Sequence, residues 1–142
     1  MVKTTSLFLL FVILFIGSAI AQVNPDSKLF VKYEPSYFNK YQHKNPEIIE
    51  YMNFYVNHSW KIINMPDKEV QSEELKKVDP KTGSLLDEQI VVSDLDNFNI
   101  YLYNCKPDQE KRKYYTIGDT KKMLIIYSHN EITDKFNKRN EN

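Results

Sequence analysis

The chain has 142 residues, enough for one small globular domain and short for two. Nineteen Lys and Arg balance nineteen Asp and Glu, and that neutrality excludes a dedicated nucleic-acid binder, whose affinity rests on basic charge. Its three glycines are scattered at Gly17, Gly83 and Gly118, so phosphate-cradling loops and the G-x-S-x-G nucleophile elbow, which need clustered glycines, are excluded too.

Residues 1–21 differ from the rest. Lys3 supplies a short basic start, residues 7–16 (LFLLFVILFI) are apolar without a break, and Ala19-Ile20-Ala21 closes on a small-x-small pattern. That is the layout of a secretory signal peptide cut before Gln22. A retained anchor is the rival reading, but the 15 residues from Leu7 to Ala21 give roughly 22 Å of helix against a bilayer core of about 30 Å. No later stretch approaches a span, so no membrane crossing is expected after cleavage. Gln22 stands where a bacterial lipid anchor would need a cysteine. The expected product is a soluble single domain, residues 22–142, that is secreted or periplasmic. It has 18 basic and 19 acidic side chains, and 44 of its 121 residues are apolar, which makes a lean core. It contains no alanine but 16 Lys, 13 Asn and 10 Ile. Such a split follows A/T-rich codons and points to a bacterial host. In a eukaryotic host Asn57-His58-Ser59 would be a glycosylation acceptor.

Residues 28–34 (KLFVKYE) read as a first strand, stopped by Pro35. Residues 36–41 show no clear period. Asn45-Pro46-Glu47 is a helix start: Asn caps, Pro suits the first helical position, and Glu complements the positive end. From there Ile48, Ile49, Met52, Tyr55 and Val56 fall within an arc of about 120°. Glu47, Glu50, Asn53 and Asn57 take the opposite side. Phe54 and Tyr51 break this division, and contact with a neighbouring loop or with residues 37–41 explains them more simply than a partner surface. Residues 60–64 (WKIIN) read as a short strand ended by Pro66. Residues 67–78 are charged, a loop or a poor helix. Residues 79–84 (DPKTGS) are turn chemistry, and 89–93 (QIVVS) form another β-branched run.

Residues 98–103 (FNIYLY) alternate with period two. On a strand, Phe98, Ile100 and Leu102 share one face, and Tyr101 and Tyr103 share the other. Residues 113–117 and 123–127 flank the turn 118–121 as a hairpin. If Ile117 pairs with Lys122, then Tyr115 opposes Leu124 and Tyr114 opposes Ile125. The second of these strands is apolar on both faces, which marks it as central. Ser128-His129-Asn130-Glu131 is a capping box that starts a short helix. Ile132 and Phe136 would dock that helix, with Glu131/Lys135 and Asp134/Lys138 as favourable pairs. The fold class is α+β: one small domain, a mostly antiparallel sheet of about four or five strands, an N-terminal amphipathic helix and a short C-terminal helix.

Candidate chemistry is sparse. Cys105 is the single cysteine; it has no disulfide partner and reads as a buried thiol rather than a nucleophile. His43, His58 and His129 lack metal-ligand spacing, and no metal or cofactor is expected. Asp94-Leu95-Asp96-Asn97 lacks the glycine and distal glutamate of a calcium loop and reads as a turn. Lys111-Arg112-Lys113 and Lys121-Lys122 are diluted by Asp108, Glu110 and Asp119 and read as solvated loops. The aromatic content leans furthest toward function, with 16 Tyr, Phe and Trp among residues 22–142. Tyr101 and Tyr103 are the candidate binding residues, because a tyrosine stripe on a sheet stacks against a sugar or grips a peptide. The simpler reading is that a second layer covers them. The functional expectation is an exported, non-enzymatic binding or accessory module for a protein, peptide or glycan. One alternative is a small secreted hydrolase or lyase using dispersed carboxylates and tyrosines, with no catalytic residue singled out. Another is an assembly subunit pairing through an aromatic face or sheet edge.

Overall fold

A computed structural model describes residues 22–139. The signal-peptide expectation for residues 1–21 lies outside them. A 3-10 turn at Ser27–Val31 leads into helices α1 (Pro35–Gln42) and α2 (Pro46–His58), then strands β1 (Trp60–Asn64) and β2 (Glu73–Glu74). Two 3-10 turns, Val92–Leu95 and Ile100–Leu102, precede β3 (Lys113–Thr116), β4 (Lys122–Ile126) and α3 (His129–Lys138). The strands form one sheet in the order β1-β4-β3-β2. Its β1–β4 and β3–β4 pairs are antiparallel and the short β2–β3 pair is parallel. The domain is α+β, with a mixed sheet.

The hairpin forms in the register set by its turn. Ile117 N–H donates to the Lys122 carbonyl at 3.2 Å, and Tyr114 faces Ile125 while Tyr115 faces Leu124. Gly118 (φ 44°) and Lys121 (φ 54°) hold the left-handed backbone of the bend. β4 is central, and Met123, Leu124 and Ile126 are all buried. A strand covered on both faces can carry such a run without exposing it.

The helix signals at Asn45 and Ser128 each coincide with a helix, although α2 is the second helix and not the first. Pro35–Gln42, without a clear period, is helical with Pro35 in its first turn. At α3 the Ser128 side chain accepts from Glu131 N–H, and Glu131 returns a bond to Ser128 N–H at 3.1 Å. The expected Glu131/Lys135 pairing gives way to longer-range contacts. Glu131 turns to Arg112 at 2.6 Å, and Lys135 Nζ sits 3.7 Å from the Tyr127 ring centre. Ile132 and Phe136 are buried and dock α3 on the core. Phe136 is also the neighbour that covers the odd aromatics of α2, with ring centres 5.4 Å from Phe54 and 5.1 Å from Tyr51. The covering element is therefore α3, rather than a loop or residues 37–41.

Two expected strands are 3-10 turns instead. At residues 28–34 the Asp26 carboxylate accepts from Lys28 N–H at 2.9 Å, and Leu29 N–H returns to the Asp26 carbonyl at 2.9 Å. This side-chain turn competes with a ladder and prevails. Asn57 and Asn53 of α2 then hold Asp26 at 2.9 Å and 2.7 Å, which buries Leu29 completely. At residues 98–103 the buried Asn99 is decisive. Its side-chain oxygen accepts from Tyr101 N–H, and its amide donates to the Lys28 carbonyl, both at 3.2 Å. The run at 89–93 likewise forms no strand: Asp94 accepts from Val91 N–H at 3.0 Å, and Val91 and Val92 are exposed.

Candidate functional site

Tyrosines spaced by four converge from three segments. Tyr33, Tyr37 and Tyr41 follow one another at helical spacing and lie on and just before α1. Their ring centres step 5.2 Å from Tyr33 to Tyr37 and 4.6 Å from Tyr37 to Tyr41. Tyr101, from the 3-10 turn at Ile100–Leu102, meets Tyr33 edge-on at 6.0 Å. Helix α2 adds Tyr51 and Tyr55, again four apart. The capping box at the start of α3 fixes His129, whose ring stacks on Tyr55 at 5.6 Å.

Tyr33, Tyr51, Tyr55, Tyr101 and His129, with Lys32, wall a cleft of about 350 Å³, closed by Met52, Ile100, Cys105 and Pro107; Tyr37 and Tyr41 pack behind Tyr33 and do not line it. A larger neighbouring cleft of about 660 Å³ shares Lys32, Ile100, Tyr101 and Cys105 with it. The tyrosine cleft draws on the segment just before α1, on α2, on the 3-10 turn at Ile100–Leu102 and the loop after it, and on α3, so its shape is set by the packed domain. A further depression of about 400 Å³ beside Leu85, Leu86 and Ile90 is built mainly from one exposed loop. It has no comparable support.

The cleft is uncharged apart from its bases. No Asp or Glu among the described residues lines it. Burial, more than any neighbour, pushes the Tyr55 and Tyr101 phenols well above the ordinary tyrosine range. Burial also pushes the Cys105 thiol up to about 12. At neutral pH all three are protonated, so none is a ready base or nucleophile. Tyr55 presents its ring; its hydroxyl is buried and, like that of Ser59 one turn on, has no hydrogen-bond partner among the described residues. Lys32 Nζ lies 4.9 Å from the Tyr101 ring centre and 5.9 Å from that of Tyr33.

Of the two tyrosines singled out from the sequence, only Tyr101 reaches this cleft. Tyr103 is buried and stacks flat on Phe98 at 4.7 Å. The two do not share a face because a 3-10 turn has a threefold period, which swings alternate side chains apart. Cys105, expected as a buried thiol, is half-buried and lines both clefts. His129, set in a capping turn that reads as exposed, is half-buried against Tyr55. His58 lies apart, with Nδ1 2.9 Å from the Phe54 carbonyl and its ring stacked on Phe54. Among the described residues no group of three or more His, Cys, Asp or Glu is placed to hold a metal ion. No helix among them is long and apolar enough to cross a membrane. Arg112, from the basic cluster, is engaged by Glu131 and the Tyr127 ring. The chain matches no protein-family model, no curated protein and no solved structure.

Proposed function

We propose that the protein is an exported, non-enzymatic binding module, working in a bacterial periplasm or outside the cell, that holds a small ligand in the tyrosine cleft. The observation that carries this reading is the cleft itself. It is a concavity with phenol rings on several sides, Tyr33, Tyr51, Tyr55 and Tyr101, and a size at the lower end for small-molecule sites, about 300–1,000 Å³. Aromatic walls with a few polar tips suit binding, since they bury ligand area at little entropic cost. The protonated state of Cys105 and the phenols favours binding over acid–base or nucleophilic chemistry at this place. Export rests on residues 1–21, with their basic start, apolar run and small-x-small end.

The test is a fragment screen by ligand-observed NMR on the purified protein and on Tyr101→Ala. Binding in the cleft yields hits that compete with one another and weaken severalfold in Tyr101→Ala while the fold is kept. Hits unaffected by Tyr101→Ala would place binding elsewhere and end the proposal. Export is checked by the mass of the secreted protein, which should begin at Gln22; an intact Met1 in a membrane fraction would contradict it.

A further inference from the structure

We infer that the ligand of this cleft is a small aromatic carboxylate, its ring against the tyrosines and its charge on Lys32. This rests on the binding reading above and adds the sign of the ligand's charge. A set of tyrosine faces ordinarily recruits a cation, because each face carries the negative side of the ring quadrupole. Here the chain supplies that cation itself. The Lys32 ammonium stands over Tyr101 and Tyr33 at 4.9 and 5.9 Å, and it lines the cleft as well. The exposed Lys32 side chain thereby takes up part of the Tyr101 and Tyr33 faces and repels a second cation, while Tyr51 and Tyr55 remain on the wall for a ligand ring.

The acidic side chains nearby do not cancel Lys32. Among the described residues it forms no salt bridge. Asp108, next to Pro107, is turned into its own loop, where it accepts from Glu110 and Lys111 N–H, both at 2.9 Å. Glu34 precedes α1 and does not line the cleft. Glu73 and Asp79 belong to the adjoining cleft, and Asp79 is held by Lys81 and Thr82 N–H at 2.7 and 3.0 Å. His129 adds a second basic group to the wall. Burial keeps the Tyr55, Tyr101 and Cys105 protons in place, so these groups add no negative charge. What remains is an aromatic-walled cleft, sized for a one- or two-ring molecule, whose single permanent charge is positive.

Benzoate, benzamide and benzylamine share a shape and differ in charge, so they separate the possibilities. Each is titrated into the full protein and into Lys32→Gln, and binding is followed by the NMR signals of the cleft tyrosines. Benzoate should bind about twofold to fivefold tighter than benzamide, the range of a solvent-exposed ion pair, and benzylamine most weakly. Lys32→Gln should bring benzoate down to the level of benzamide and leave benzamide unchanged. Equal binding of benzoate and benzamide would overturn the assigned charge while leaving the cleft as a binding site. A preference for benzylamine would also overturn it and make the tyrosines a cation cage. Benzoate binding that survives Lys32→Gln would remove Lys32 from the account. No shift of the cleft tyrosines with any of the three would overturn both this inference and the binding reading.

Discussion

Replacing Glu131 by Gln tests how the first turn of α3, which carries His129 to the cleft, is held. One carboxylate oxygen of Glu131 accepts from Arg112 Nη2 and Nε at 2.6 and 2.8 Å. The other accepts from Ser128 N–H at 3.1 Å. Glutamine also serves in a capping box, so Glu131→Gln keeps the cap and removes the charge. The Arg112 and Glu131 side chains are 49% and 30% exposed, and solvent screens them, so the charge contributes about 0.5–1 kcal/mol. Glu131→Ala also removes the return bond to Ser128 N–H, about 0.5–1 kcal/mol more, and leaves Ser128 capping the backbone N–H of residue 131. Arg112, with help from Ser128, holds the Glu131 carboxyl below its ordinary range, which is about 4.3 in an unfolded chain. A carboxyl depressed in the folded state stabilises fully above the unfolded value and loses that stabilisation as pH falls through the folded one. Urea unfolding at about pH 7 should therefore show Glu131→Gln less stable by about 0.5–1 kcal/mol. The gap should narrow progressively as the pH is lowered below about 4. A gap independent of pH would refute the assignment of this stabilisation to the ionised pair.

Tyr103→Ala should destabilise by about 3 kcal/mol, because it empties a buried stack on Phe98; Tyr101→Ala should cost clearly less and act on binding, as urea midpoints and titrations would show. Leu124→Ala, at a fully buried site of the central strand, should cost about 2–5 kcal/mol. Lys121→Gly, at φ 54°, should raise stability by about 0.5 kcal/mol after the greater freedom of the unfolded chain is counted. Cys105, with its thiol pushed up to about 12, should react with a soluble thiol reagent at about pH 8 at least about a hundredfold more slowly than free cysteine; rapid labelling would contradict its burial.

Where local signals agreed with one another, the fold could be read directly. The hairpin register followed from one pairing at Ile117, because a period of two leaves no freedom once the turn is placed. The capping box at Ser128 named a helix because it satisfies terminal N–H groups; at Asn45 the side chain makes no cap bond, and the start rests on Pro46 and Glu47 in the first turn. The failures have a common cause. Residues 28–34 and 98–103 carry strand-like side chains, yet Asp26 and Asn99 offer the backbone a local partner and bend it into a turn. That bend separated Tyr101 from Tyr103, and so the binding face drawn from the alternation dissolved. The cleft was partly legible all the same. Tyr33, with Tyr37 and Tyr41 packed behind it, and Tyr51 and Tyr55, on its wall, are spaced by four, the distance at which side chains meet on a helix. Reading residues 28–34 as a strand hid the first of these series. The turning away of Asp108 is a local side-chain turn onto the N–H groups two and three residues on, whereas the position of Lys32 over the Tyr101 ring is a tertiary fact with no signature in spacing.

Mapping benzoate onto the protein by two-dimensional NMR tests most directly whether the tyrosine cleft is the ligand site. Saturable shifts confined to Lys32, Tyr33, Tyr55, Tyr101 and His129 are the expected result. Shifts centred instead on the exposed Leu85, Leu86, Val91 and Val92 loop, or no saturable shifts at all, would contradict it.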